Sequence, residues 1–190
     1  MKRLSVGLAV VLLSSLALSA AEEAKPSQPQ EMKMPQPQKE HEWMKQLNGE
    51  WDTESEMIMD PAKPPEKAKG TESNRMLGGF WVISENKGDM MGSPFAGILT
   101  LGYDPEKKKY VGTWVDSMTS ILWQYTGSVD AAGKALTLET EGPCPQQPGK
   151  LIKCRETIEI KDKDTKVFTS TFEQDGKWVT MLTVKYTRKK

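Results

Sequence analysis

Asp116 stands two residues after Trp114, in a stretch whose alternation puts both on one strand face with Tyr110 and Met118. A carboxylate on an inward face needs a partner. Arg75 and Arg155 are the candidate cations, because a guanidinium pairs bidentately with a carboxylate. Two uses follow. Asp116 either anchors a polar ligand group within an aromatic cavity, or it belongs to a structural ion pair or a rim. Glu85 shares a face with Trp81 and is placed at an opening. An enzyme would take Asp116 or Glu85 as its acid/base and Arg75 or Arg155 as its charge stabiliser. Trp81, Trp123, Tyr125 and Met57 add walls to such a cavity, or are ordinary core.

Other chemistry is thinly supplied. His41 is the single histidine. Between Glu40 and Glu42 it reads as a surface residue rather than an axial haem ligand. One histidine also leaves no His-based zinc set and no Ser-His-Asp hydrolase. No Gly-rich loop leads from a strand into a helix, so that route to a nucleotide is absent. Met57 and Met59 share a strand face and Met90-Met91 sit together. Thioethers bind Cu(I), but methionine also lines cores and adaptable pockets without a metal, and that reading is taken. No cofactor is expected.

The chain has 190 residues. Met1-Lys2-Arg3, the apolar run 4–18 and Ser19-Ala20-Ala21 have the order of a cleaved secretory signal, residues 1–21. The run is short for a membrane span, and no stable membrane anchor is expected after cleavage. Residues 22–39 hold four Pro and four Gln without an aromatic residue, a disordered tether by composition. Residues 40–190 suffice for one domain. Without Lys2 and Arg3, 24 basic residues face 26 acidic ones, a net charge of −2. Charges of both signs are interspersed, so nucleic acid has no electrostatic footprint. The protein is expected to be periplasmic or secreted. In such a compartment Cys144 and Cys154 read as one disulfide, worth roughly 2–3 kcal/mol in the chain-entropy model. Their nine-residue gap is not CxxC, and no histidine is near for a metal.

Residues 40–48 form one or two helical turns, with Trp43 and Leu47 as an apolar stripe and Gly49 as the stop. After Gly49-Glu50-Trp51 the period becomes two. Residues 50–59 put Trp51, Thr53, Ser55, Met57 and Met59 on one face and four acidic residues on the other. Further strands are read at 69–77, 80–87, 95–103, 109–117, 120–129, 134–141, 150–161, 167–174 and 177–187, with 89–94 as loop. About ten short strands with tight turns imply an antiparallel, up-and-down barrel, which removes sheet edges. A β-sandwich would need longer crossovers.

The motifs Leu47-Asn48-Gly49-Glu50-Trp51, Gly78-Gly79-Phe80-Trp81, Leu101-Gly102-Tyr103-Asp104 and residues 110–117 (YVGTWVDS) resemble those of the bacterial family called domain of unknown function 1579. The likeness covers residues 40–190. It implies an all-β, lipocalin-like or calycin-like barrel with a short N-terminal helix, and it brings no catalytic residues. By analogy of fold it implies a small-molecule cavity. The expected protein is therefore an exported barrel binding a small apolar or amphipathic ligand through Met57, Arg75, Trp81, Trp114, Asp116, Trp123 and Tyr125. An enzyme and an envelope interaction module are the alternatives.

Overall fold

The strand alternation beginning at Gly49 closes on itself. The computed structural model describes residues 34–144 and 149–190. The expected signal peptide and the tether up to residue 33 lie outside the described residues. Helix α1 (Lys39–Met44) and a 3₁₀ turn (Lys45–Leu47) lead into ten strands. These are β1 (Gly49–Met57), β2 (Glu66–Leu77), β3 (Trp81–Met90), β4 (Ser93–Asp104) and β5 (Lys109–Asp116). Then come β6 (Trp123–Val129), β7 (Ala135–Pro143), β8 (Leu151–Ile160), β9 (Thr165–Gln174) and β10 (Lys177–Arg188). Each strand pairs antiparallel with the next, and β10 pairs back with β1, giving a closed barrel. Residues Gln36–Lys190 make one compact unit.

Several sequence boundaries move; β2, for one, begins at Glu66 rather than 69. The loop expected at 89–94 is instead a tight hairpin, with Met91 (φ 57°) and Gly92 (φ 77°) as its only unpaired residues. Positive φ at both central positions gives a turn whose twist matches the strands it joins. Strand β6 begins at Trp123, where pairing with Trp114 starts, rather than at 120.

The barrel has two unlike ends. At one, the α1 segment covers the opening. Met44 and Leu47 are buried, and the Trp43 indole N–H donates to the Gly133 carbonyl at 2.8 Å. The Tyr110 hydroxyl donates to the Glu40 carbonyl at 3.0 Å. His41 is buried, not on the surface as its acidic neighbours suggested. Its Nδ1 accepts the Gln38 N–H at 2.9 Å, and its ring meets the edges of Phe80 and Tyr103. Trp51 seals the same end. Its indole N–H donates to the Leu47 carbonyl at 2.9 Å, and the Arg188 guanidinium lies 4.0 Å from the ring centre. Arg188 also donates to the carbonyls of Asn48 (2.6 Å), Lys163 (2.9 Å) and Gln46 (3.1 Å). At the other end lie the β1–β2, β3–β4, β5–β6 and β9–β10 connections.

The expected Cys144–Cys154 bridge is not formed. Cys154 pairs with Thr140, four residues before Cys144 on the line of β7. Four residues of strand span roughly 13 Å, against about 7 Å for bridgeable Cα atoms. A short loop in sequence is a long ladder in the hairpin. Both side chains are buried, and burial pushes the Cys154 thiol up to about 11.

Gly49 is required where the chain enters the barrel. Its φ is +115°, and a Cβ there would fall 2.6 Å from Arg188 Nη1. Gly49→Ala is expected to cost about 1–2 kcal/mol and lower the melting temperature by roughly 2–8 °C. Unchanged thermal unfolding would show that the clamp does not constrain this position.

Candidate functional site

The inward side chains do not fill the barrel. They surround a cavity of about 370 Å³, within the usual ~300–1,000 Å³ of small-molecule sites. Leu99, Trp114, Trp123, Leu138, Phe168 and Leu182 make its apolar wall. Two indoles are kept against that wall by glycines. A Cβ on Gly97 would fall 2.4 Å from the Trp114 ring, and one on Gly142 would fall 1.9 Å from the Trp123 ring. With hydrogen in those places the rings lie on the backbone instead of crossing the interior. Phe95 stacks on Trp114 with ring centres 6.2 Å apart.

The rim away from the helix carries Met57, Met90, Met118 and Met181 among the cavity residues. Asp116 belongs to this rim. Its Oδ2 accepts the Trp114 indole N–H at 2.9 Å, and its Oδ1 accepts the backbone N–H groups of Met118 and Thr119, both at 2.9 Å. The carboxylate therefore orients the Trp114 ring and caps the chain leaving β5. No arginine pairs with it among the described residues.

Beside the apolar core under the helix, the interior carries a buried polar cluster. Lys166 Nζ donates to Glu72 Oε1, and both side chains are almost fully buried. The Asn74 amide also donates to Glu72 Oε1, and to the Leu47 carbonyl at 2.8 Å. The ammonium lies 4.6 Å from the Trp51 ring centre and 4.5 Å from that of Tyr186, close enough for cation–π attraction. Burial pulls Lys166 below the usual lysine range, and Glu72 offsets part of that.

Midway along β8 stands Glu156, 8% exposed. Ser170 donates to its Oε1 at 3.1 Å, whereas its Oε2 is buried with no hydrogen-bond partner. Loss of solvation pushes this carboxyl up to about 7, and the Ser170 hydroxyl pulls the other way. Tyr125 and Tyr186 are raised by burial as well.

Of the residues singled out from sequence, Met57, Trp114, Asp116, Trp123 and Tyr125 line the cavity. Arg75 and Trp81 do not. Asn74 and Val82 face inward, so their strand neighbours Arg75 and Trp81 face out. The Trp81 ring lies over Gly102 on the outer surface. Glu85 is on that side too, and Arg155 pairs outside with Glu139 at 2.9 Å under the Trp178 ring. The acid/base set drawn from Asp116, Glu85, Arg75 and Arg155 therefore does not assemble. Sequence reading passed over Glu72, Lys166, Glu156 and Ser170. The signal was present: Cys154, Glu156 and Ile158 alternate inward on β8. Among the described residues no group of three or more His, Cys, Asp or Glu converges as a metal would need.

Removing one partner of the buried pair leaves the other charge uncompensated. Lys166→Met is expected to cost about 3–5 kcal/mol in urea unfolding, and adding Glu72→Gln to recover much of that loss. Additive losses in the double variant would show that the two side chains are not coupled.

The fold has solved relatives. The crystal structure of Rv2717c from M. tuberculosis is 12% identical, with a TM-score of 0.57 over 82% of this chain and 100% of that one. The S-type phycobiliprotein lyase CPES from Guillardia theta is 15% identical, with a TM-score of 0.51 over 82% of this chain and 99% of that one. At such identities the likeness shows the lipocalin-like fold alone. No curated protein matches the sequence. The family described as "Protein of unknown function (DUF1579)" matches residues 36–188, and this chain belongs to it.

Proposed function

We propose that this protein is exported and holds one small apolar or amphipathic molecule inside its barrel. The observation that carries the reading is the unfilled interior: about 370 Å³ bounded by Leu99, Trp114, Trp123, Phe168 and Leu182. A core meant only for stability would close that space, because interiors pack to near-crystalline density and each void forfeits dispersion contacts. Here glycines at 97 and 142 hold the two largest side chains back, which favours a cavity that admits a guest. The methionines at the rim suit an adaptable entrance. Export rests on the charged, apolar and small-residue order of residues 1–21.

The test is native mass spectrometry of the protein purified from its own host. The expected result is a small-molecule adduct that is lost on denaturation. Gly97→Val, which drives Trp114 off the wall and into the cavity, is expected to lose the adduct while remaining folded by circular dichroism. A bare mass for the wild type, or an undiminished adduct in the variant, contradicts the reading.

A further inference from the structure

Of the buried charged side chains that line the cavity, Glu72 and Lys166 pair with each other, and among the described residues Glu156 has no opposite charge beside it. Lys166 neutralises Glu72, and the Asn74 amide donates to the same carboxylate oxygen. Glu156 has the Ser170 hydroxyl at Oε1 and nothing at Oε2. Its side chain is more than nine-tenths buried and lines the cavity between Cys154 and Ile158. A buried, half-satisfied carboxyl costs stability in the empty barrel. It is best relieved by a guest that brings both a hydrogen-bond donor and a positive charge.

We infer that Glu156 is the recognition point of the cavity, and that the guest is an amphipathic primary or secondary amine whose ammonium meets Glu156 Oε2 while its apolar body lies against Trp114, Trp123 and Phe168. This rests on the cavity-binding reading above and names its ligand class. An alcohol would supply the hydrogen bond without the counter-charge. A carboxylate would place a second negative group beside the first.

The surrounding groups leave Glu156 as the titrating one. Ser170 faces it from β9 and Leu138 pairs opposite it on β7. Tyr125 from β6, Tyr186 from β10 and Cys154 on its own strand feel the charge of Glu156, and burial keeps all three protonated near neutral pH. The Glu72–Lys166 pair contributes no net charge. The Glu156 carboxyl, raised to about 7, is neutral below that pH and ionised above it. The ammonium's advantage therefore appears as pH rises through about 7 and fades as pH falls.

Isothermal titration with octylamine, octanol and octanoate separates the possibilities. At pH 8.5, octylamine is expected to bind at least tenfold tighter than octanol and octanoate. At pH 5.5 its advantage over octanol should largely vanish. In Glu156→Gln, which keeps the side-chain shape, octylamine should lose about tenfold and its pH dependence, while octanol binding persists. Ser170→Ala keeps the carboxyl and should keep the amine preference. The pH profile of the wild type tests the idea independently of any variant. Equal binding of octylamine and octanol at pH 8.5, or an unchanged preference in Glu156→Gln, overturns the amine assignment and leaves the cavity reading standing. Failure of all three probes to bind overturns both.

Discussion

The Arg188 guanidinium lies on the Trp51 ring and donates to carbonyl groups of Gln46, Asn48 and Lys163. Those contacts join the end of β10 to the start of β1, to the 3₁₀ turn before it and to the β8–β9 turn. A ten-stranded meander without that closure would expose two long edges, each a row of unpaired backbone groups. Charge, stacking and hydrogen bonding meet at one side chain, and only Gly49 gives it room. The α1 segment completes the seal through Trp43 and Tyr110.

Sealing one end with a helix and an indole leaves the interior free to stay open. Below the middle of the barrel, Glu72, Lys166 and Asn74 form a neutral polar network beside the buried apolar residues Val82, Leu101 and Leu136. Above it the wall is mainly aromatic and aliphatic, with Asp116 tied to Trp114 at the rim. The two regions meet at Glu156, where the network stops and the apolar wall begins. Glycines at 97 and 142 decide the width, because a single methyl at either position would meet an indole face. Electrostatics and packing thus assign different tasks to the two halves of one cavity.

Much of this was legible from alternation alone. Trp51, Thr53, Ser55 and Met57 on one face of β1 have the predicted parity, and Trp114 and Asp116 stay on one side of β5 and line the same space. Where reading failed, the cause was parity or register rather than composition. Trp81 attracts attention as an aromatic residue, yet Val82 takes the inward position and a one-residue shift reverses the face. Arg75 has the charge to meet an inward carboxylate, yet the strand turns Asn74 inward instead. Glu72, Lys166 and Glu156 take inward positions although burial of charge is costly, so composition argues against the places that the strands give them. The cysteines illustrate register: nine intervening residues look close in sequence, but hairpin pairing sets Cys154 beside Thr140. His41 shows that acidic neighbours do not fix exposure when a helix is laid across an opening.

Whether a guest enters the barrel is reported most directly by methyl NMR of ¹³C-labelled methionine during titration with octanol. Met57, Met90, Met118 and Met181 line the cavity, whereas Met34 and Met59 are exposed and Met44, the last residue of α1, is buried. Binding in the interior predicts saturable shifts of the first four resonances with the other three unmoved. Shifts confined to Met34 and Met59, or no saturable shift at any methionine, would contradict an interior that receives a ligand.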